Sequence, residues 1–337
     1  MGSVGKIALE EHFITEELVP YAAGNRPTRD DAVFVELRRR LADFCESRLA
    51  GMDEAGIEFA VLSATVPGVQ AEPEPERSVG LARRTNDRLA EEVRRRPDRY
   101  GGFAALPLQD PVAAAAELER AVTQLGLAGA MVNGHTLGHY LDETRFDPFW
   151  EAAESLGAPI YLHPTDPVGQ PAMFAGRPEL NGAVWSWTVE GATHALRLIF
   201  GGTLRRFPRL RLILGHMGET LPAVLWRIDN RARAVAGRDL DREETPSWLF
   251  RRNFWITTTG VCDPAALMTA IANVGEDRVM FSVDYPYESG RVATAFVEAA
   301  PLSEAVRRKV CRENAAALLG PKGPLWSPGR DEAREGA

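Results

Sequence analysis

The sequence predicts an α/β protein with the architecture of a (β/α)8 (TIM) barrel. Two observations support this prediction. Eight short apolar segments with β-branched or aromatic residues alternate with amphipathic or alanine-rich helical stretches along the chain. The length of 337 residues is ordinary for one such barrel, and 45% hydrophobic residues supply a large core. A doubly wound open sheet is the second choice, because it shares the alternation of strands and helices.

The predicted strands and helices follow one another from end to end of this pattern. The strands cover residues 6–13, 59–65, 100–106, 129–133, 159–163, 210–216, 254–259 and 279–284. The helices cover residues 33–55, 76–95, 111–125, 147–156, 184–206, 221–235, 263–272 and 303–319.

Two longer connections interrupt the alternation. Residues 14–31 follow the first strand and residues 165–182 follow the fifth, and both contain several prolines and glycines. Because loops after barrel strands lie on the face where binding sites form, we expect both to act as lids. We assign residues 1–320 to one barrel domain. Residues 321–337 are rich in proline, glycine and charge, and we expect a loosely ordered tail there.

Composition excludes several classes of function. The net charge of −8 and the lack of a dense basic patch argue against nucleic acid as a partner. The apolar stretches are too short for a membrane span, and the first residues lack the apolar centre of a signal peptide. Cys45, Cys262 and Cys311 are too few and too widely spaced for a disulfide framework or a cysteine zinc site. We therefore expect a cytoplasmic enzyme that acts on small molecules.

The scarcity of lysine narrows the chemistry further. Only three of the 39 basic residues are lysines, namely Lys6, Lys309 and Lys322. Lys6 opens the first strand and the other two lie near the C-terminus. Schiff-base chemistry and a carbamylated lysine that bridges two metals therefore have almost no candidate residue.

Acidic, amide and imidazole side chains gather at the ends of the predicted strands. Glu10 and His12 end the first strand, where alternation puts them on one face and Glu11 on the other. Four more polar residues stand at the ends of the fourth, fifth, sixth and eighth strands, in chain order Asn133, His163, His216 and Asp284. Each alone is typical of a cap or a satisfied polar residue, but their joint occurrence favours a site for zinc, manganese or iron.

The three remaining histidines are weaker candidates. His135 and His139 lie in the glycine-rich loop after the fourth strand, where they can line the pocket. His194 lies in the middle of a predicted helix, which is typical of a packing contact between helix and barrel.

A set of short motifs extends these observations. They are Leu-Glu-Glu-His-Phe at 9–13, Ala-Leu-Pro-Leu-Gln-Asp-Pro at 105–111, Val-Asn-Gly at 132–134, Tyr-Leu-His-Pro at 161–164, His-Ala-Leu-Arg-Leu at 194–198, Leu-Gly-His-Met-Gly-Glu at 214–219, Trp-Arg-Ile-Asp at 226–229 and Phe-Ser-Val-Asp-Tyr-Pro at 281–286. In this order and spacing, over residues 5–320, the chain resembles the metal-dependent decarboxylase branch of the amidohydrolase superfamily. Within that branch it is most similar to the γ-resorcylate (2,6-dihydroxybenzoate) and 2,3-dihydroxybenzoate decarboxylases.

The resemblance implies roles for particular residues. It implies one divalent metal ion, zinc or manganese, held by Glu10, His12, His163 and Asp284. It also implies that His216 is a catalytic histidine and that Glu219 is the acid that orients it. The implied reaction is the non-oxidative decarboxylation of an aromatic acid with an ortho hydroxyl group. Residues 14–31 and 134–144 differ in detail from the family, so the ring substituents stay open.

The chemistry of that reaction favours Asp284 as the proton donor. Direct cleavage of an aryl–carboxylate bond would leave an aryl anion, whereas prior protonation of the ring carbon avoids it. A carboxylic acid beside the metal, with His216 close enough to hold or relay its proton, can deliver that proton. Glu219, one helical turn beyond His216, can fix the tautomer of the imidazole.

Asn133, Arg48 and Arg227 are the predicted substrate-binding residues. If a helix runs on from His216, eleven residues put Arg227 roughly 16 Å away, too far to reach its own metal. In related decarboxylases the matching arginine enters a neighbouring subunit's site, and Arg48 resembles a second such position. A surface arginine on an amphipathic helix is the alternative for each. The functional interpretation implies a homodimer or homotetramer.

Other functions remain open from the residues alone. The same barrel and metal, with Asp284 as a base, can hydrolyse an amide, ester or lactone. A hydratase, or a carboxylase running the reaction backwards, is a second alternative. A barrel kept as a scaffold or regulatory binding protein is a third, although such a protein has no need of convergent metal ligands.

Overall fold

Eight parallel strands lie side by side in chain order in the computed structural model, which describes residues 4–22, 32–169 and 171–320. The strands are β1 (Lys6–Phe13), β2 (Ile57–Ala64), β3 (Tyr100–Ala104), β4 (Gly129–Asn133), β5 (Pro159–His163), β6 (Arg211–Leu214), β7 (Phe254–Thr257) and β8 (Val279–Met280). Every neighbouring pair from β1 to β8 is parallel, as connection through an intervening helix requires.

The segment that follows β8 closes the barrel against β1. The backbone N–H of Asp284 donates to the carbonyl of Glu10 at 3.0 Å, and the N–H of His12 donates to the carbonyl of Tyr285 at 2.7 Å. Glu11 and Tyr285 form a parallel bridge between these two bonds. The prediction of a (β/α)8 barrel is confirmed, and the open sheet is excluded.

Helices connect the strands and pack around them. The α-helices are Val19–Ala22, Ala32–Ala42, Glu46–Glu54, Pro75–Arg95, Pro111–Thr123, Asp147–Leu156, Ser186–Phe200, Thr203–Arg206, Leu221–Ala236, Pro246–Asn253, Pro264–Val274, Gly290–Ala299, Glu304–Arg308 and Asn314–Leu319. A π-helical turn, Lys309–Glu313, joins the last two.

Two predicted helices are interrupted, each for a local reason. The stretch 33–55 breaks because the carboxylate of Asp43 accepts from the N–H groups of Cys45 and Ser47, both at 2.7 Å, and so starts a second helix. The stretch 184–206 breaks at Gly202, whose φ of 81° is left-handed and ends the helical path.

A bulge in β1 lets the barrel interior change from apolar to polar along one strand. Ile7 and Leu9 belong to an interior cluster with residues of six other strands, whereas Ala8 packs outward towards the helices. Against β2, the pairing moves from Ala8–Ala60 to Glu11–Leu62, so β1 carries one extra residue. Because of this extra residue, the side chains after Leu9 change faces.

The two long connections lie where the sequence predicts them, after β1 and after β5. The described part of the first contains the turn Glu16–Leu18 and the helix Val19–Ala22, while the second contains three short 3-10 turns. Residues 23–31 and the predicted tail, 321–337, lie outside the described residues. Among the described residues, no helix combines the length and the apolar character that a membrane crossing requires.

Candidate active site

Five predicted site residues converge at the carboxyl ends of the barrel strands. The Nε2 atoms of His163 and His216 lie 3.4 and 3.6 Å from Oε1 of Glu10. The Nε2 atom of His12 lies 3.8 Å from the same oxygen and 3.1 Å from Oδ1 of Asp284. Potential ligand atoms within each of two groups, Glu10–His12–His163 and Glu10–His216–Asp284, all lie within 4.8 Å of one another.

The atoms at the centre of this cluster are those that a cation would satisfy. Oε1 of Glu10, Nε2 of His12 and Oδ1 of Asp284 are buried and have no hydrogen-bond partner. Buried polar atoms are normally paired, so three unpaired atoms aimed at one point need an explanation. Carboxylate and imidazole ligands together suit zinc or manganese. The residues present therefore fit one divalent metal ion.

Each imidazole is oriented by a contact to its other nitrogen. Nδ1 of His12 lies 3.3 Å from the hydroxyl of Ser63, and Nδ1 of His163 lies 2.7 Å from the carbonyl of Pro164. Nδ1 of His216 lies 2.6 Å from Oε1 of Glu219. Such partners fix the ring direction and leave every Nε2 free to face the centre.

The second oxygen of Glu10 is held by Tyr161, which the sequence analysis did not single out. The Tyr161 hydroxyl donates to Oε2 of Glu10, and it also lies 2.7 Å from the hydroxyl of Thr257. Tyr161 precedes His163 by two residues on β5, so strand alternation already put it on the inward face.

Opposite charges dominate the protonation of the cluster. Burial alone would raise the pKa of Glu10, but His216, His12 and His163 hold that pKa below its usual range. Burial would lower the pKa of His12, but Asp284 and Glu10 raise it to about 9. Burial lowers the pKa of His163 to about 3. Burial also raises the pKa of Asp284.

A left-handed turn after β6 presents His216 and Glu219. His216, Met217, Glu219 and Thr220 all have positive φ, between 47° and 65°, which residues other than glycine rarely adopt. Gly215 precedes the turn, and a Cβ there would lie 2.9 Å from Oε2 of Glu10. The turn is therefore packed directly against the ligand cluster, which is the group of five converging residues described above.

The structure places Arg48 behind β1, in the helix Glu46–Glu54. Its side chain is buried, donates to the carbonyl of His12 at 2.6 Å and to that of Asp43 at 2.9 Å, and lies 4.6 Å from the ring of Tyr285. One guanidinium nitrogen, Nη1, is buried without a partner.

Asn133 ends β4 and pairs in register with His163. Its backbone N–H donates to Gln70 at 2.6 Å, and its side-chain nitrogen lies 3.5 Å from the carbonyl of Pro67. Its side-chain oxygen is buried without a partner, so it can still accept a hydrogen bond.

Arg227 lies apart from the ligand cluster. It belongs to the helix Leu221–Ala236 and lines a groove of about 720 Å³, in which none of the five clustered residues takes part. Apolar side chains dominate the groove, and Trp226 beside it is 77% exposed. Arg227 therefore does not join the cluster of its own chain.

The remaining histidines occupy three different environments. His135 is half-buried and contacts the carbonyl of Asp166 at 3.0 Å, whereas His139 is exposed beside Glu143. His194 is buried in the helix Ser186–Phe200, where its Nε2 accepts from the N–H of Leu141 at 3.3 Å.

Two aromatic residues outside the strands border the cluster and were not predicted from the sequence: Trp187 in the helix Ser186–Phe200 and Tyr287 in the segment after β8. The ring of Trp187 lies 6.0 Å from that of His163, and the ring of Tyr287 lies 5.7 Å from that of His12. The Tyr287 hydroxyl also contacts Thr65 at 2.6 Å. Neither aromatic residue ends a strand, so strand patterns carry no signal for them.

Comparisons with known proteins show the family to which the chain belongs. The amidohydrolase family profile matches residues 15–320. A γ-resorcylate decarboxylase of Rhodococcus jostii (strain RHA1) is 46% identical over 333 residues, which cover 94% of this chain and 98% of that protein. A crystal structure of 2,6-dihydroxybenzoate decarboxylase complexed with 2,6-dihydroxybenzoate has a TM-score of 0.88 and 43% identity, and the match covers 94% of this chain and 99% of that chain.

A second solved structure adds a metal to the comparison. The dihydroxybenzoic acid decarboxylase of Polaromonas sp. JS666 contains manganese and the inhibitor 2-nitroresorcinol; its TM-score is 0.87 at 43% identity, with 94% of this chain and 96% of that chain covered. The chain described here belongs to the amidohydrolase family, in its metal-dependent decarboxylase branch.

Proposed function

We propose that the chain is a carboxy-lyase that removes CO2 non-oxidatively from a hydroxybenzoate with a hydroxyl group ortho to the carboxylate, 2,6-dihydroxybenzoate being the first candidate. The observation that carries this proposal is the position of Asp284. Its buried Oδ1, without a partner, lies 3.1 Å from Nε2 of His12, at the centre of the ligand cluster. An acid that faces a metal site can both bind there and supply a proton.

The proposed cofactor is one divalent metal ion held by Glu10, His12, His163 and Asp284. When bound, the ion would supply a Lewis acid for the substrate's carboxylate and phenolic oxygens and a template for the ring. We expect manganese first, because the similar Polaromonas enzyme contains it, and zinc second, because the ligand types also suit zinc.

Asp284 protonates the ring carbon that carries the carboxylate. The ortho hydroxyl oxygen pushes electrons towards that carbon, so a C–H bond forms while Asp284 gives up its proton. The bond to the carboxylate then breaks, CO2 leaves, and its electron pair restores the aromatic ring. The raised pKa of Asp284, caused by burial, keeps a larger share of the carboxyl group protonated for this step.

His216 supplies the proton that Asp284 needs for the next turnover, and Glu219 orients the His216 ring. Burial would lower the pKa of His216, but the carboxylates of Glu219 and Glu10 raise it to about 10. The imidazole therefore holds a proton beside the cluster and can return one to Asp284 after each turnover. Glu219 is buried and fixes the ring through its contact to Nδ1.

We also propose that Arg227 acts in the site of a second subunit. Its place on an apolar groove, apart from its own ligand cluster, supports this role, because exposed apolar surface of this kind is typical of protein interfaces. The chain would then be a homodimer or homotetramer. Asn133, with its partnerless oxygen, is proposed to accept a hydrogen bond from the substrate.

Arg48, predicted to bind the substrate, is proposed to act mainly as a structural residue behind the site. Its contacts to backbone carbonyls and to Tyr285 support a place behind the site, with Nη1 as the one nitrogen left to reach a substrate carboxylate.

We also propose that the protein works in the cytoplasm. The three cysteines are unpaired, which fits a reducing compartment.

A substrate panel separates decarboxylation from one-metal hydrolysis. The purified chain, loaded with Mn²⁺, is incubated with hydroxybenzoates, with benzoates that lack the ortho hydroxyl, and with aryl lactones. We expect CO2 and a phenol in equal amounts from the ortho-hydroxylated acids alone. Ring-opened or deacylated products without CO2 would instead support the hydrolase.

A further inference from the structure

A buried carboxylate on the outer face of β1 holds the segment that carries Asp284. Glu11 is only 3% exposed. Its Oε1 accepts from the backbone N–H of Val283 at 3.1 Å and from the hydroxyl of Ser282 at 3.2 Å. Its Oε2 accepts from the backbone N–H of Tyr285 at 3.3 Å. One side chain therefore binds the residues immediately before and after Asp284.

Asp284 needs this support because its backbone is strained. Its φ is 84°, in the left-handed region that a residue with a Cβ rarely adopts and that persists only where the surroundings impose it. From this conformation Oδ1 comes within 3.1 Å of Nε2 of His12. A return to ordinary backbone angles would break the buried hydrogen bonds from Val283 and Tyr285 to Glu11.

The Ser282 hydroxyl links the Glu11 side chain to the backbone of Glu10. Its oxygen accepts from two successive backbone N–H groups at the bulge of β1, from Leu9 at 3.0 Å and from Glu10 at 2.6 Å. Its hydrogen is donated to Glu11. A hydroxyl has one donor and two acceptor positions, and all three are used here. Glu11 and Ser282 thus fix the bulge that turns Glu10 inward and the strained turn that carries Asp284.

Arg48 adds a positive charge to this part of the barrel. Its buried guanidinium donates to the carbonyl of His12 and lies over the ring of Tyr285. Both contacts are to residues adjacent to Glu11 or bonded to it. The buried carboxyl group of Glu11 therefore lies close to a buried cation.

We propose that Glu11 is a positioning residue, which aligns Asp284 with Glu10 and His12 across the closure of the barrel. It touches neither substrate nor metal and acts only through Asp284 and the β1 bulge. Its effect on proton delivery rests on the proposed function, whereas its effect on the geometry of the ligand set does not.

The test is the variant Glu11→Gln, studied by Mn²⁺ binding to the metal-free protein and by kinetics of the Mn²⁺-loaded enzyme. Glutamine puts an NH2 group where one of the two N–H groups of Val283 and Tyr285 needs an acceptor. We expect the Mn²⁺ dissociation constant to rise about 10- to 100-fold. We expect kcat at saturating Mn²⁺ to fall by about the same factor, with KM changed less than about threefold.

Two further variants separate positioning from general destabilisation. Ser282→Ala removes the hydroxyl but leaves every backbone group in place, and we expect a smaller loss of Mn²⁺ affinity in the same direction. Glu117→Gln is the matched control, since Glu117 is also buried and accepts from Asn86 at 2.7 Å, in the contact between two helices. It should lower the thermal midpoint and leave Mn²⁺ affinity unchanged.

The outcomes are distinct. Unchanged Mn²⁺ affinity and kcat in both Glu11→Gln and Ser282→Ala would overturn the proposal, as would an equal loss of affinity in Glu117→Gln. If the unaltered chain releases no CO2 but Glu11→Gln still weakens Mn²⁺ binding, the proposed function fails and the positioning role stands.

Discussion

Nδ1 of His216 lies 2.6 Å from Oε1 of Glu219, within a turn whose backbone is left-handed at both residues. This contact reserves Nδ1 for the glutamate, so that Nε2 faces Oε1 of Glu10 at 3.6 Å. The strained turn and the ion pair together hold an imidazole beside a cluster of metal-ligand atoms. The proposed delivery of a proton by Asp284 depends on that arrangement.

Replacement of Glu219 tests the orientation of His216. In Glu219→Gln the imidazole loses its anionic partner, so we expect kcat to fall about 10- to 100-fold with Mn²⁺ content unchanged. Steady-state CO2 release and metal analysis measure the two quantities. Glu190→Gln is the matched control, because Glu190 is also buried but accepts from the N–H of Thr165 instead of contacting His216. A fall of the same size in both variants would contradict the role of Glu219.

Replacement of Asp284 tests the proton donor. Asp284→Asn keeps an oxygen for the metal but cannot deliver a proton, so we expect kcat to fall by a factor of about 10² to 10⁴. Substrate should still bind, which fluorescence or calorimetric titration of the Mn²⁺-loaded variant can measure. Turnover within threefold of the unaltered chain would remove Asp284 from the acid role.

Mixing two inactive variants tests whether Arg227 acts across subunits. Arg227→Ala and Asp284→Asn are each expected to be nearly inactive as pure proteins. After co-expression, a dimer with one chain of each kind has one intact site, so random pairing restores about a quarter of the full activity. Arg231→Ala, in the same groove, is the control for damage to the interface. A mixture no more active than its components would confine Arg227 to its own chain.

Acid should weaken the fold through His194. Burial lowers the pKa of His194 to about 3, with the charges of Arg197 and His135 acting in the same direction. Between that value and its ordinary pKa of about 6.5, the unfolded chain binds a proton that the folded chain does not, so the free energy of unfolding falls as the pH falls. This group alone contributes up to about 1.4 kcal/mol per pH unit.

Urea unfolding at pH 7, 6 and 5 measures that slope. In His194→Gln the contribution is absent, so the difference in the free energy of unfolding between the two proteins should change steadily with pH. The contributions of the other histidines to the free energy of unfolding are the same in both proteins and cancel in this difference. A constant difference across the three pH values would show that His194 is not held neutral by the fold.

The sequence predicts that polar side chains converge because the strand ends of a barrel must meet. Glu10, His12, His163, His216 and Asp284 were found in this way as candidates, and their division into metal ligands and a catalytic histidine came from the family resemblance. Tyr161 could have been found by alternation from His163. The bulge in β1 could not be predicted, because it depends on the hydroxyl of Ser282, which lies 272 residues after Glu10 in the chain. The left-handed turn from His216 to Thr220 could not be predicted from the sequence either, since these residue types rarely adopt positive φ.

Titration of the metal-free chain with Mn²⁺, followed by CO2 release from 2,6-dihydroxybenzoate, tests the central claim that one metal ion and its surrounding acids carry out decarboxylation. We predict no release without metal, a linear rise to a plateau at about one Mn²⁺ per chain, and one equivalent of 1,3-dihydroxybenzene for each CO2. Full activity of the metal-free chain, or a plateau at about two ions per chain, would contradict the account.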